Sequence, residues 1–132
     1  MIIYNKMERH PNEMWLFLDC ESSTHKKTRA HAQSITKHIN EFSFKHNKLS
    51  KLRWLKILKM LGLRPKDLLN KADPKYQEEL AGHDFDDDNW LEILRNNPCM
   101  IKGPIAIMNG KAVLCVNPKD IYHLSELHKI KA

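Results

Sequence analysis

The sequence predicts an α/β fold in which helices pack around a mixed sheet of four strands. The compact apolar run Met14–Leu18 is typical of a buried strand and precedes a polar segment suited to starting a helix. Two more apolar runs, Ile105–Met108 and residues 112–116, flank Asn109 and Gly110. The Asn-Gly dipeptide tolerates the positive φ angles of a tight turn, so these runs are predicted to form a β-hairpin. Both are almost continuously apolar, which predicts a hairpin covered on both faces.

The first half of the chain alternates between strand and helix patterns. Residues 19–24 are polar and rich in capping residues, so a helix is predicted to begin there and to run to about Ile35. Residues 39–44 form the second predicted strand. Alternate side chains of a strand share a face, which places Phe42 and Phe44 together.

A stronger helix is predicted at Lys51–Leu61, capped by Ser50 and closed by Gly62. At 100° per residue its apolar side chains gather on one predicted core side. That core side consists of Trp54, Leu55, Ile57, Leu58 and Leu61. The other side carries Lys51, Arg53, Lys56 and Lys59, with Leu52 and Met60 as apolar exceptions.

The second half of the chain contains shorter helical patterns before the hairpin. Short helical pieces are predicted at residues 65–71 and 74–80, each of which includes a proline near its start. The acidic residues 86–88 precede a helix that runs to Arg95, where negative charge suits the positive end of the helix dipole. After the hairpin, residues 118–130 are predicted to form a closing helix. The resulting order is β-α-β-α-(α)n-β-β-α.

Length and composition indicate one globular domain. The chain has 132 residues, of which 42% are hydrophobic and 29% are charged. We expect residues 1–13 to be a lead segment and residues 14–132 to form the domain. No run is long enough for a transmembrane helix or an export signal. The three cysteines have neither CxxC nor zinc-finger spacing, which favours a reducing, cytoplasmic compartment and no metal.

The charge is unevenly distributed, although the net value is only +6. Residues 45–66 contain no acid among their lysines and arginines, whereas residues 73–92 are acidic apart from Lys75. Such asymmetry is found on nucleic-acid-binding faces and, more commonly, on ordinary solvated surfaces. The basic helix therefore suggests an acidic partner. Nucleic acid is not favoured, because the chain has no base-reading motif.

Three motifs at these spacings resemble the ArsC/Spx family of glutaredoxin-coupled arsenate reductases and Spx-type transcription regulators. They are Leu-Leu-Asn-Lys at residues 68–71, Asp-Asp-Asp-Asn-Trp-Leu-Glu-Ile-Leu at residues 86–94 and Asn-Pro-x-x-Ile-x-x-Pro-Ile at residues 97–105. The resemblance implies a thioredoxin-like fold with a helical insertion between strands 2 and 3. It also places Pro104 where that superfamily has a cis-proline facing the active site, so we expect the Gly103–Pro104 bond to be cis.

The chain departs from the family at the residues that carry the chemistry. The resemblance implies a nucleophilic cysteine at the start of the first helix, where this chain has Ser22. It implies three oxyanion-binding arginines. Their places read Asn70, Gly103, and Val113 or Val116. We therefore expect no arsenate reduction by the family mechanism. The prediction is a non-catalytic binding or regulatory protein without a cofactor, with a protein as partner. RNA polymerase is the partner suggested by the Spx-type regulators.

An enzymatic alternative uses Cys20, which lies two residues before the family nucleophile position. It would act as a glutathione-linked thiol oxidoreductase, whereas an inert loop cysteine is the simpler interpretation. The helix start carries capping and basic side chains that could hold an anion or an acidic peptide beside Pro104. These candidate residues are Ser22, Ser23, Thr24, Lys26 and Lys27. Ordinary helix capping explains the same residues.

Overall fold

The computed structural model describes residues 13–18, 23–44 and 47–124. Its strands are β1 (Met14–Leu18), β2 (Ile39–Ser43), β3 (Ile105–Met108) and β4 (Lys111–Leu114). Its α-helices are α1 (Ser23–Ile35), α2 (Lys51–Leu61) and α3 (Asp87–Asn96). Short 3-10 turns lie at Pro65–Leu68, Pro98–Met100 and Pro118–Ile121, and a turn of π-helix lies at Tyr76–Leu80.

The four strands form one mixed sheet in the order β2-β1-β3-β4, which confirms the predicted architecture. β1 pairs parallel with β2 and antiparallel with β3, so that Phe17 lies opposite both Phe42 and Ile105. β3 and β4 form the predicted antiparallel hairpin. Its turn residues Asn109 and Gly110 both have positive φ angles, of 54° and 74°. Asparagine and glycine tolerate this conformation better than most residues do.

Two hydrophobic layers cover the two faces of the sheet, because successive strand residues point to opposite sides. Leu16 and Leu18 of β1 point to the face that α1 and the Pro118–Ile121 turn cover. Phe17 points to the other face, where Trp54 of α2 and Trp90 of α3 are buried. α2 and α3 belong to the segment between β2 and β3, as the predicted insertion requires.

The two longer helices of the insertion begin and end where their capping residues predict. The Ser50 hydroxyl accepts a hydrogen bond from the Arg53 backbone N–H (3.2 Å) at the start of α2. Gly62 closes α2 with a φ of 69°. The Asp86 carboxylate accepts from the Asn89 N–H (2.9 Å) at the start of α3. No helix among the described residues is long and apolar enough to cross a membrane.

Three sequence predictions about helix and strand packing need correction. Leu55 is 46% exposed, because Trp54, Ile57 and Leu58 direct α2 towards the core and leave Leu55 on the rim. β4 is only partly buried, because it is an edge strand, whereas β3 is fully buried. The closing helix opens as a 3-10 turn, and its predicted part beyond residue 124 lies outside the described residues.

Candidate functional site

The candidate site lies where the segment before β3 runs beside the segment after α2. The Asn70 N–H donates to the Met100 carbonyl (2.7 Å), and the Lys102 N–H donates to the Leu68 carbonyl (2.8 Å). These bonds flank an antiparallel bridge between Leu69 and Ile101. The structure therefore brings Asn70 and Gly103 onto neighbouring segments. These are two of the positions at which the family resemblance places oxyanion-binding arginines.

Gly103 is packed directly against the end of the hairpin. A Cβ atom added there would lie 2.2 Å from the Cys115 carbonyl oxygen and 2.9 Å from its carbonyl carbon. Backbone atoms cannot move aside as the tip of a flexible side chain can, and the Cys115 N–H is already bonded to the Pro104 carbonyl (2.7 Å). Position 103 therefore has no room for an arginine, or for any other side chain, in this backbone arrangement.

The peptide bond between Gly103 and Pro104 is trans, and the prediction of a cis bond is wrong. An X-Pro bond favours trans by about 0.5–1 kcal/mol unless its surroundings select the cis isomer. Here Pro104 is buried, and its carbonyl is satisfied by Cys115 in the trans arrangement. The chain thus enters β3 through a trans Gly103–Pro104 bond.

The other two arginine positions are also uncharged. Asn70 is exposed, and its Oδ1 atom accepts a hydrogen bond from the Ala72 N–H (3.1 Å) within its own turn. Val113 is half-buried and Val116 is 50% exposed. An arsenate oxyanion is best held by bidentate guanidinium groups, and the residues at these described positions offer none.

Only part of the anion site predicted at the start of α1 lies within the described residues. Thr24 is half-buried, Lys26 and Lys27 are exposed, and the first turn contains no acid. Cys20 and Ser22 lie outside the described residues, and Ser23 is the first residue of α1. The anion or peptide site that combines these residues with Pro104 stays a prediction.

Arg29, in the middle of α1, is a cation that the sequence analysis did not single out. It binds Glu41 of β2 through two hydrogen bonds, from Nε (2.8 Å) and from an Nη atom (2.9 Å). Its guanidinium also lies 3.0 Å from the His25 Nε2 atom. The carboxylate of Glu41 neutralises this arginine, and the pairing across the sheet edge has no signal in the sequence.

The cysteines differ sharply in their surroundings. Cys115 is a fully buried free thiol, and its pKa is raised to about 12, mainly by burial and further by Asp120. It therefore packs as a small hydrophobe, as predicted, and is a poor nucleophile. Cys99 is exposed and disulfide-bonded. The sequence spacing indicated no partner for Cys99, because residues that meet in the fold need not be near each other in the chain.

Metal chemistry has no visible site in the described part of the chain. No group of three or more His, Cys, Asp or Glu side chains among residues 13–18, 23–44 and 47–124 could hold a metal ion.

Comparisons with known proteins agree with this architecture. The ArsC family model matches residues 17–124. An arsenate reductase from Vibrio cholerae superposes with a TM-score of 0.70 at 20% identity, covering 85% of this chain and 98% of its own. An arsenate reductase (ArsC) related protein from Brucella melitensis gives a TM-score of 0.64 at 19% identity, covering 86% of this chain and 95% of its own. No curated protein matches the chain.

At these identities the solved structures establish the thioredoxin-like fold alone, and the family model adds the assignment of the sequence. The mixed four-stranded sheet, the helical insertion after β2 and the match over residues 17–124 lead to one conclusion. The chain belongs to the ArsC family.

Proposed function

We propose that this chain is a non-catalytic binding or regulatory member of the ArsC family, which does not reduce arsenate by the family mechanism. The observation that carries the proposal is the packing of Gly103. The family arginine at this position is absent, and the 2.2 Å approach of the Cys115 carbonyl leaves no space for its return. Restoring an arginine at position 103 would therefore require a shift of the backbone as well as a change of side chain.

The chemistry of the neighbouring positions supports the same proposal. Arsenate is an anion at neutral pH, and binding it in a site without cations would bury its charge at a high cost. Asn70 uses its side-chain oxygen for its own turn, and Val113 and Val116 present apolar surface. The free thiol Cys115 cannot replace the missing nucleophile, because burial holds its pKa near 12.

The partner in this proposal is a protein in the cytoplasm. RNA polymerase is the specific partner that the resemblance to Spx-type regulators suggests. The uneven charge of the chain supports an acidic partner surface, since residues 45–66 carry basic side chains and no acid. A protein partner needs neither a nucleophile nor an oxyanion site.

The test is an arsenate reductase assay with glutathione and glutaredoxin, using the Vibrio cholerae enzyme as the positive control. We expect turnover no higher than in a reaction without enzyme. Isothermal titration calorimetry with arsenate should show no saturable heat. Turnover well above the background that disappears in Cys20→Ser would contradict the proposal.

A second candidate function, thiol–disulfide exchange, is favoured by the disulfide at Cys99. Cys99 is disulfide-bonded, whereas Cys115 is a free thiol. Exposed disulfides are often the labile, regulatory or catalytic ones. In this candidate, one glutathione thiolate attacks the disulfide at Cys99, which forms a mixed disulfide and releases one protein thiolate. A second glutathione attacks the mixed disulfide, leaving two protein thiols and oxidised glutathione.

Alkylation of Cys20 distinguishes the two candidates. The measurement is the alkylation rate against pH for reduced protein carrying Cys99→Ala and Cys115→Ala. An ordinary thiol reaches its half-maximal rate near pH ~8.5, as the non-catalytic proposal expects. A half-maximal rate below about pH 7 would indicate an activated thiolate and would favour thiol–disulfide exchange. Non-reducing mass spectrometry of the unmodified chain and of Cys99→Ser tests whether Cys99 forms a disulfide within the chain. Only the unmodified chain should contain that disulfide.

A further inference from the structure

Helix α2 has an exposed face on which large apolar and basic side chains alternate. Leu52 is 61% exposed, Leu55 is 46% exposed and Met60 is 38% exposed. Lys56 and Lys59 are exposed between them. These residues occupy positions i, i+3, i+4, i+7 and i+8, which is the spacing of one side of an α-helix. We call this set the outer face of α2.

Folding alone does not account for the apolar residues of the outer face. The inner side of α2 already buries Trp54, Ile57 and Leu58 against the sheet. Among the described residues, the large hydrophobic side chains that are exposed are Leu52, Leu55, Met60 and Val116. Single exposed hydrophobic residues are common, but three on one side of one helix form a patch of the kind found at interaction sites.

The electrostatics of α2 restrict what could cover this patch. The ion pairs formed by Lys51 with Asp88 (3.7 Å) and by Arg64 with Asp87 (2.9 Å) lie at the first residue of α2 and beyond its last. Lys59, towards the C-terminal end of the outer face, has no acidic partner within the described ranges. Lys56 and Lys59 add positive charge to the same side of the helix. A partner that complements both features needs apolar side chains flanked by carboxylates.

We propose that the outer face of α2 binds an acidic amphipathic helix of a partner protein. The apolar side chains of such a helix would cover Leu52, Leu55 and Met60, while its glutamates or aspartates would approach Lys56 and Lys59. α2 has eleven residues and is about 16 Å long, which matches about three turns of a partner helix. A nucleic acid would meet the lysines but would gain nothing from exposed leucines. This proposal rests on the proposed protein-binding function and names the surface that would carry it, and that surface contains no cysteine.

The test uses a designed helical peptide rather than an unidentified partner. The probe has leucines at i, i+4 and i+7 with glutamates at the intervening positions, and the control peptide has the same composition with the leucines scattered around the helix. Titration of the full chain, followed by NMR chemical shifts, should show saturable binding with changes concentrated at residues 52–60. The scattered peptide should bind much more weakly.

Matched variants locate the binding surface. Leu52→Ser should weaken binding of the peptide about tenfold, because an exposed leucine gains burial only in the complex. Lys59→Glu should weaken it as well, by repelling the peptide carboxylates. Lys37→Glu makes the same charge change at an exposed position after α1, on the other side of the sheet from α2, and should leave the affinity unchanged. All three changes are on the surface, and well-dispersed spectra confirm that each variant is folded.

Several outcomes would overturn this proposal. They are an absence of binding up to about 1 mM peptide, equal binding of the scattered peptide, or a loss in Lys37→Glu equal to that in Lys59→Glu. Tighter binding to anionic vesicles or to duplex DNA than to the peptide would assign the surface to a different class of partner. Dimerisation that Leu52→Ser abolishes would assign it to a second copy of this chain. None of these results depends on whether arsenate is reduced, so the failure of this proposal and the failure of the proposed function are distinguishable.

Discussion

Gly103 lies where the backbone of the hairpin closes over the segment entering β3. The distance of 2.2 Å from an added Cβ to the Cys115 carbonyl oxygen is far below van der Waals contact. Both groups belong to the backbone, so relief requires a shift of the hairpin itself. The absence of a side chain at Gly103 thus allows the two segments to pack this closely.

We expect Gly103→Ala to lower the free energy of unfolding by about 2 kcal/mol or more, as overpacked buried positions do. Urea denaturation monitored by tryptophan fluorescence measures the change. The exposed neighbour Lys102 provides the control, because Lys102→Ala should change stability by less than about 0.5 kcal/mol. A similar small effect of both substitutions would show that the hairpin moves aside easily.

Cys115 couples the stability of the fold to alkaline pH. Its pKa in the folded chain is raised to about 12, whereas an unfolded cysteine titrates near pH ~8.5. Above the unfolded pKa, the unfolded chain has lost a proton that the folded chain retains. Raising the pH therefore favours unfolding, by at most about 1.4 kcal/mol per pH unit until the folded pKa is reached.

The variant Cys115→Ala removes this particular pH dependence. Between pH ~9 and ~11, the unmodified chain should lose stability faster than the variant, whereas below pH ~8 the difference between them should stay constant. Urea denaturation in the presence of a reductant, repeated across this range, gives the comparison. Parallel curves for the two proteins would mean that the folded thiol titrates normally.

At the scale of elements, the helices of the insertion depend on local caps. The Asp86 carboxylate accepts the Asn89 N–H, and Asp87 and Asp88 add negative charge to the first turn of α3. α3 in turn buries Trp90, Leu91 and Leu94. A weakened cap would therefore loosen a helix that holds much of one hydrophobic layer.

We expect Asp86→Ala to destabilise the protein by about 1 kcal/mol, because the N–H groups at the helix start lose their acceptor. Asp86→Asn is the matched control, since asparagine caps helices about as well as aspartate. Thermal unfolding of the three proteins measures the effect. If Asp86→Asn is as destabilising as Asp86→Ala, charge rather than the capping hydrogen bond is responsible.

At the scale of the whole molecule, the sheet joins the two hydrophobic layers. β1 is hydrogen-bonded on both sides, to β2 and β3, whereas β2 and β4 are the edges of the sheet. Phe17 and Leu16 of β1 belong to opposite layers. Opening β1 therefore disrupts both layers at once.

Amide hydrogen exchange should reflect this arrangement. We expect the slowest exchange in β1 and β3, at rates that approach global unfolding, and faster exchange in the edge strand β4, which is partly buried. Exchange followed by NMR under native conditions provides the measurement. Slower exchange in β4 than in β1 would show that the hairpin, rather than the central strand, is the most stable part of the sheet.

The sequence by itself determined the local elements and the family. Periodicity, capping and turn residues act over a few neighbouring positions, so they can be recognised in the sequence. They identified the strand Met14–Leu18, the helix Lys51–Leu61 and the hairpin turn at Asn109 and Gly110. The motifs at residues 68–71, 86–94 and 97–105 were sufficient to indicate the ArsC family, which the match over residues 17–124 confirms. The sequence also predicts that Asn70 and Gly103 stand where the family resemblance places arginines.

Tertiary structure decided everything that depends on residues distant in the chain. The sequence could not show that Gly103 packs against the carbonyl of Cys115, that the bond to Pro104 is trans, or that Arg29 is held by Glu41. The exposure of Leu55 was likewise set by which side of α2 packs into the core, where Trp54, Ile57 and Leu58 are buried, and not by the helical pattern of α2 alone. The physical reason is the same in each case, because packing fixes contacts and isomers through atoms that no local pattern contains.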